Sequence, residues 1–499
     1  MPDCTPLRPR IRAVPGSPAP GIGPSPVARA SRPLWLRAQS PILLRNAGAS
    51  SELAFAMVRA SDPILARHAA THILRTLREH GHIAYFAGGC VRDGLLGQHP
   101  TDFDIATDAP PKRVRQLFPR TAEVGAAFGV VLVHVGPQDY GADRNSGLLV
   151  SVEVATFRSD GPYSDARRPD SVTFSDPQRD AERHDFTINA LFLDPLAPTD
   201  DSSVVGGNDP GGRVIDFVGG VADLKAKVLR AVGDPAKRLA EDHLRALRAV
   251  RFAARLGFAL DPATGVAITR SASDLRGVSR ERIGEELRRM LAHPARARAA
   301  DLLETLTLDA PVLDEPTLAS RRVLIAALPA PATATTALAA WATDRERARS
   351  GREWLSDPQI AATATRLRAA MTLSNDETEE FQAILLGTWS IAQRWSTMRV
   401  SERKRTAARL TFGKSMDILR ASDPAIAVRV EADVMDLAAD GVGINPPILV
   451  SGDDLIADGM KPGPWFKGIL DEVRDTQLEG GIKTKREGME LARRLGVQP

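Results

Sequence analysis

Two aspartates, Asp102 and Asp104, flank Phe103 in the segment TDFDIATD. Side chains alternate between the two faces of an extended segment, so both carboxylates should share one face while Phe103 and Ile105 pack on the other. Neighbouring carboxylates repel unless a cation binds them, and oxygen-only ligands are typical of magnesium. A solvated strand end fits the same pattern, so this pair alone leaves both interpretations open.

A glycine pair, Gly88 and Gly89, ends the predicted strand IAYFAGG, and twelve residues separate it from Asp102. A helix predicted to start near Val91 would direct its unpaired N–H groups at an anion over the glycines. Arg92, in the predicted first turn, is unfavourable beside the positive helix end and is better explained by an anionic ligand. An ordinary turn is the alternative for this segment by itself.

A third carboxylate, Glu153, stands among alternating valines in the predicted strand SVEVATF. Its position predicts a side chain that points away from the core and that could join the aspartates near the metal. An outward polar strand residue would show the same pattern.

The composition of the 499-residue chain permits about three domains. With 65 basic and 62 acidic residues, a polyanionic partner is allowed but not required. Two distant cysteines exclude a disulfide framework and a thiolate metal site, which favours a reducing cytoplasm. The absence of a long uninterrupted apolar stretch argues against a membrane span.

The chain divides into four predicted regions. Residues 1–60 are rich in proline and arginine and are expected to be disordered, and an organelle transit peptide is disfavoured. Residues 62–200 alternate strands with helices and form an α/β head with a small mixed β-sheet. Residues 201–300 form a helical neck, and residues 301–499 a helical body and tail. The predicted class is α+β, with no strand expected beyond about residue 220.

The segment AKRLAEDHLRALRAVRFAARLGF predicts a helix with an arginine stripe. Arg245, Arg248 and Arg251 recur every three residues and Arg255 follows, so all four lie in one broad arc. Because no acidic residue of the helix follows Asp242, we interpret the stripe as unpaired and favour a polyanionic ligand over a solvated helix face.

Five segments, between about residues 83 and 290, resemble motifs of the class II tRNA nucleotidyltransferase and poly(A) polymerase family. The glycine–aspartate segment resembles motif A, which is also a signature of the wider nucleotidyltransferase superfamily. The later segments follow in family order: GPYSDARRPDSVTF is similar to a flexible loop, RHDFTINAL to a ribose-sensing motif, EDHLRALRAVRFAARLGF to a base-reading helix and SRERIGEEL to a motif that braces it.

This resemblance implies a set of roles. Asp102 and Asp104 would hold Mg²⁺, and Asp242 and Arg245 would read the Watson–Crick edge of CTP or ATP. A carboxylate accepts from the exocyclic amino group of cytosine or adenine, and a guanidinium donates to the neighbouring acceptor. The implied contacts to the remainder of the nucleotide are Gly88, Gly89, Arg92, Arg183, His184, Asp185, Asn189, Arg248 and Arg251.

One position departs from the family, which has two arginines where this chain has Arg183 and His184. Histidine, with an ordinary pKa of about 6.5, is not a permanent charge. We therefore expect nucleotide affinity to fall or to depend on pH. Asp185, Thr187 and Asn189 match the motif.

The resemblance predicts a cytoplasmic enzyme that adds CCA to the 3′ acceptor end of tRNA from CTP and ATP, with two metal ions and release of pyrophosphate. The sequence indicates no protein partner. Poly(A) or A-only addition is the alternative within the family, and the full-length loop disfavours CC-only addition. An alternative of another class is an RNA-binding protein with weak or no catalysis.

Overall fold

The computed structural model describes residues 62–123, 129–136, 139, 149–163, 169–198, 205 and 211–496. Residues 1–60, for which disorder is predicted, are not among the described residues. Within the described residues, no helix combines the length and the apolar character that a membrane crossing requires.

The head alternates strands and helices, as predicted. Asp62 caps the first helix by accepting a hydrogen bond from the backbone N–H of Ile64 over 2.8 Å. The strands are β1 (Ala84–Ala87), β2 (Asp104–Thr107), β3 (Thr121–Glu123), β4 (Val130–Val135), β5 (Val150–Thr156), β6 (Arg158–Asp160), β7 (Val172–Phe174), β8 (Phe192–Asp194) and β9 (Arg213–Ile215). The helices are α1 (Pro63–Glu79), α2 (Gly89–Leu95), α3 (Pro111–Leu117), α4 (Pro177–Glu182) and α5 (Gly220–Ala226), with a 3₁₀ turn at Thr187–Asn189.

A mixed seven-stranded sheet forms the centre of the head, in the order β3-β4-β5-β2-β1-β8-β9. The pair β2–β5 is parallel, and the other pairs in this sheet are antiparallel. Alternate valines of β4 and β5 are buried in the main core, on the face where α1 and α3 pack, as the period of two requires. β6 and β7 form a separate hairpin.

Helices make up most of the chain after the head, which confirms the predicted fold class. They are α6 (Pro235–Glu241), α7 (Arg245–Leu256), α8 (Pro262–Arg270), α9 (Arg280–Ala292), α10 (Arg296–Thr305), α11 (Asp309–Leu313), α12 (Val323–Ala327), α13 (Ala334–Ser350), α14 (Asp357–Met371), α15 (Asn375–Arg394), α16 (Val400–Ala407), α17 (Phe412–Ser422), α18 (Pro424–Ala439), α19 (Gly452–Ala457), α20 (Trp465–Leu478) and α21 (Lys485–Gly496).

Two details of the neck differ from the sequence prediction. Val228–Leu229 (β10) pairs in parallel with Ala259–Leu260 (β11), where no strand was expected. Strands of two residues are too short to leave a periodic pattern. The predicted helix over 236–258 is divided into α6 and α7, because Asp242 between them has an extended backbone with φ −150° and ψ 106°.

One hydrophobic cluster runs through head, neck and body, and it includes Phe86 of β1, Phe252 of α7 and Trp341 of α13. The last helices have two smaller clusters of their own, around Met416 and around Val473. The boundaries near residues 200 and 300 therefore stay predictions, since the main core crosses both of them.

Candidate active site

The glycine turn between β1 and α2 stands beside the aspartates. Gly88 has φ +69°, a conformation that favours glycine, and its N–H donates to the carbonyl of Leu191 over 3.0 Å. Ala87, just before it, pairs in register with Asp104. The helix begins at Gly89, two residues before the predicted start, so Arg92 lies in its last turn.

The carboxylates lie at one place on the sheet. Phe103 and Ile105 are buried in the main core while Asp104 is partly exposed and Asp102 exposed, as the alternation predicted. Asp104 is the parallel register partner of Glu153, so these two side chains share a face of neighbouring strands. The strand itself starts at Asp104, and Asp102 precedes it.

These carboxylates fit a divalent-metal site whose remaining ligands a bound molecule would supply. No group of three or more His, Cys, Asp or Glu in the described part of the chain is arranged to hold a metal. Magnesium in nucleotide sites usually has one or two protein carboxylates and takes its remaining ligands from water and substrate phosphates. Asp102 and Asp104 supply that number beside the glycine turn.

The buried carboxylate of Asp185 is the hub of the ribose-sensing motif. It accepts from Nδ2 of Asn189 over 3.0 Å and from Nε of Arg248 over 2.8 Å. Burial would raise the pKa of Asp185, but Arg248 and the hydrogen bond from Asn189 outweigh it and bring the pKa to about 2. Asp185 is thus a fixed charge that ties the head to α7.

Arg92 has partners inside the protein, which corrects the reason given for it from sequence. Its side chain is 3% exposed, and its guanidinium donates to Asp93 from Nε over 2.7 Å and to Asn189 from Nη1. From the sequence, Arg92 was expected to need an anionic ligand. Asp93 already supplies a negative charge, so the position does not by itself require one.

His184 is held as a neutral acceptor. Its Nδ1 lies 2.8 Å from the backbone carbonyl of Asp180, which can only accept, so Nδ1 carries the proton and Nε2 is left as an acceptor. Burial, and then the charge of Arg183, lower the pKa of His184 below its usual value. Arg183 itself pairs with Asp180 over 2.9 Å. The pH dependence of nucleotide affinity that was expected from His184 therefore moves to lower pH.

Asp242 and Arg245, the predicted base-reading pair, lie at the break between α6 and α7. Arg282 of α9 donates from Nη2 to Oδ2 of Asp242 over 2.7 Å. Arg245, the first residue of α7, pairs with Glu241 and donates to the carbonyl of Arg238 over 2.7 Å. Both members of the pair are thus held in place by neighbours on α6 and α9.

The prediction of an unpaired arginine stripe is wrong. Arg245 pairs with Glu241, Arg248 with Asp185, Arg251 with Glu286 and Arg255 with Asp93. No acid follows Asp242 within the helix, but the partners come from elsewhere in the fold: α2, α6, α9 and the ribose motif. The arginines are therefore preorganised by carboxylates and are not a free basic surface.

The stem of the predicted flexible loop lies near the base-reading pair, and residues 164–168 of the loop are outside the described residues. Tyr163 donates to Oδ2 of Asp160 over 2.7 Å. Burial and this hydrogen bond raise the pKa of Tyr163 to about 12, and Arg245 and Glu241 are among the charges that act on it.

Sequence reasoning missed several residues that complete the site. Four of them have charged side chains that pair with the predicted residues: Asp93, Glu241, Arg282 and Glu286. Arg282 and Glu286 lie four residues apart in SRERIGEEL, which places them on one helix face and was a usable signal. Phe252 was also missed, and only the structure reveals the arginines around it.

Two family models match the chain. Residues 84–230 match the Poly A polymerase head domain, and residues 257–320 match the Probable RNA and SrmB- binding site of polymerase A.

Relatives named CCA-adding enzyme match it over different lengths. The one from Geobacillus stearothermophilus is 42% identical over 240 residues, which are 48% of this chain and 52% of the relative, so that match spans about half its length. The one from Geobacillus kaustophilus is 33% identical over 431 residues, 83% of this chain and 93% of the relative.

Solved structures share the fold. The Bacillus stearothermophilus CCA-adding enzyme in complex with CTP matches with a TM-score of 0.60 and 28% identity over 87% of this chain and 98% of that one. The Thermotoga maritima CCA-adding enzyme complexed with tRNA matches with a TM-score of 0.55 at 16% identity over 87% and 96%, a likeness of fold alone.

Proposed function

Because the chain belongs to the family of CCA-adding enzymes, we propose that it adds cytidine and adenosine units from CTP and ATP to the 3′ end of tRNA. Pyrophosphate leaves at each step. The observation that carries the proposal is a set of contacts that join four of the five motif segments around α7. Arg92 bonds Asn189, Asp185 bonds Arg248, and Glu286 bonds Arg251.

The triphosphate is bound by the glycine turn and by the arginines of α2 and α7. Gly88 and Gly89 leave room for a phosphate chain to approach the backbone, and Arg92, Arg248 and Arg251 supply positive charge. Arg183, His184 and Asn189 lie at the sugar. In this role the Nε2 of His184 accepts a hydrogen bond from a ribose hydroxyl, whereas an arginine would donate.

The base is read at the break between α6 and α7. Asp242 accepts from the exocyclic amino group of cytosine or adenine, and Arg245 donates to the adjacent ring acceptor. Uracil and guanine present a carbonyl where Asp242 needs a donor. Selection of CTP and ATP thus rests on protein side chains rather than on a nucleic-acid template.

Asp102 and Asp104 would hold Mg²⁺, which activates the RNA 3′-hydroxyl and neutralises charge on the phosphates. Glu153, the register partner of Asp104, adds negative charge on the same face. The protein's own contribution is to align the terminal hydroxyl with the α-phosphate. No covalent enzyme intermediate is required.

We also propose that the helical body and tail bind tRNA through its backbone and shape, as is usual for A-form RNA. A cytoplasmic location follows from these substrates, and the free thiol of Cys90 is compatible with a reducing compartment.

The test is to incubate the protein, Mg²⁺, CTP and ATP with tRNA transcripts that lack the 3′ end or stop at C or CC, and to sequence the products. Addition that stops at CCA supports the proposal. A long A tail would favour poly(A) polymerase, the activity that the head-domain description names. Extension only of transcripts ending in CC would favour A-only addition.

Asp104→Ala distinguishes the enzyme from a non-catalytic RNA-binding protein. Extension should fall at least about a thousandfold because the metal loses a ligand, while tRNA affinity in a filter assay stays within about threefold. Glu182→Gln, an exposed charge removal in the same head, is the control and should change neither. Loss of RNA binding alongside activity would instead assign Asp104 a structural role.

A further inference from the structure

The ring of Phe252 stands at the centre of three arginines. The guanidinium carbon lies 4.4 Å from the ring centroid for Arg251, 5.1 Å for Arg92 and 5.5 Å for Arg248. All three are within the distance, about 6 Å, at which an aromatic face attracts a cation. Phe252 is 6% exposed, so water weakens this attraction little. One side chain thus gathers cations from two helices, α2 and α7.

The same arginines are held at their edges by carboxylates. Nε of Arg92 donates to Asp93, that of Arg248 to Asp185 and that of Arg251 to Glu286. A guanidinium can pack its face on a ring while its edge donates in the plane. The ring and the acids therefore fix each arginine in two directions.

This arrangement leaves donors for a further ligand. Nη1 of Arg248 and both Nη atoms of Arg251 make no hydrogen bond to any residue that the structure describes. An array of oriented guanidinium donors matches the spaced oxygens of a phosphate chain.

We propose that Phe252 is a positioning residue for the nucleotide: it orders Arg248 and Arg251, beside the buried charge of Arg92, so that their remaining donors bind the triphosphate and do not read the base. The inference rests on the proposed function, since it assigns a nucleoside triphosphate as the ligand. It extends that function by assigning affinity for the phosphate chain to a residue that touches no substrate.

Phe252 also belongs to the main core and packs edge-on against Phe186 at 5.9 Å, so a packing control is needed. Phe258, just after α7, provides it. It is 2% exposed and in the same cluster, and within the described residues no guanidinium lies over its ring.

The experiment compares Phe252→Leu, Phe252→Met and Phe252→Tyr with Phe258→Leu in the full chain. Steady-state kinetics with CTP, with ATP and with inhibiting pyrophosphate are measured, together with Tm. The Leu and Met variants should raise both nucleotide KM values and the pyrophosphate inhibition constant about tenfold. Their kcat should change less than about threefold. Phe252→Tyr keeps an aromatic ring and should leave KM at the value of the unmodified chain. Phe258→Leu should lower Tm and leave KM unchanged.

Equal KM effects of Phe252→Leu and Phe258→Leu, or a loss in kcat alone, would overturn the inference. A change for CTP without one for ATP would also overturn it, because the array contacts phosphates and not bases. If the unmodified chain extends no RNA, the proposed function fails. Calorimetric binding of CTP, cytidine and pyrophosphate to the unmodified chain and to Phe252→Leu still tests whether Phe252 positions the arginines for the phosphate chain. Weaker binding of CTP and pyrophosphate but not of cytidine supports it, and unchanged binding contradicts it.

Discussion

Nη2 of Arg282 donates to Oδ2 of Asp242 over 2.7 Å and so joins α9 to the extended residue between α6 and α7. Asp242 Oδ1 accepts the backbone N–H of Leu244 over 3.1 Å. The carboxylate of Asp242, which we propose reads the base, is therefore held from both sides, by Arg282 of α9 and by its own backbone turn.

Removing this brace should weaken base selection more than stability. In Arg282→Ala, Asp242 loses a charged partner and rotates more freely, so the ratio of CTP to UTP incorporation should fall about tenfold. The free energy of unfolding should drop by about 1 kcal/mol, since the pair is only partly buried. Misincorporation is measured by sequencing single-addition products. Glu281→Ala, exposed on the same helix, is the control, and equal misincorporation in both variants would contradict the prediction.

Local patterns predicted longer strands of the head such as β1, β2 and β5, because each of their signals lies within a few residues. They did not predict the three-residue strands, which are too short to leave a periodic pattern: β3, β6, β7, β8 and β9. The alternation around Asp104 identified its exposed face. The alignment of Glu153 with Asp104 could not be predicted from the sequence, because it depends on two distant segments that pair in one register.

The electrostatics of the site could not be predicted in the same way. The sequence shows that Arg248 follows Arg245 by three residues, but not that Asp185, sixty-three residues earlier, folds against it. Likewise, Asp242 has its helix-ending conformation because Arg282 and the backbone turn hold it, and neither contact leaves a local pattern. Charge pairing between distant segments is a property of the fold.

Gly88, just before α2, and Gly89, its first residue, should respond differently to alanine. Gly88→Ala places a side chain at φ +69° and should cost about 1–2 kcal/mol of unfolding free energy. Gly89→Ala should be neutral or stabilise by up to about 1 kcal/mol, because Gly89 is helical and its added Cβ would lie 3.7 Å from the nearest atom. Urea unfolding measures both. A CTP KM raised in Gly89→Ala despite unchanged stability would support close approach of a phosphate, and a greater loss of stability than in Gly88→Ala would contradict this account.

Cys90 should be inert in the folded protein. Burial, and then the charge of Asp104, raise the pKa of its thiol to about 12. Since the folded pKa exceeds the ordinary value of about 8.5, the contribution of Cys90 to stability is full below that value and is lost as pH rises toward 12. In a Cys4→Ser background, iodoacetamide at pH 8 should label Cys90 only after urea unfolding, and Cys90→Ala should lessen the stability lost between pH 8.5 and 10. Rapid labelling of the native chain would show that the thiol is accessible and ionised.

His184 should not titrate near neutral pH. Its pKa is lowered by burial and by Arg183, against the opposing charges of Asp180 and Asp185. The neutral side chain therefore contributes its full stability above the ordinary pKa of about 6.5 and loses it as pH falls through the lower folded value. Since Nδ1 keeps its proton for the carbonyl of Asp180, the neutral ring still offers Nε2 as an acceptor.

The control for this prediction is His184→Gln, which keeps a hydrogen-bonding side chain that is neutral at every pH. The CTP KM of the two proteins should follow the same pH profile between pH 7 and 9, and their urea stabilities should diverge only below about pH 6.5, where the unmodified chain loses more. A rise in KM with the loss of one proton between pH 7 and 8, present with His184 and absent with Gln, would contradict it. That result would mean that a charged His184 replaces the arginine that the family has at this position, and that the ring binds nucleotide as a donor.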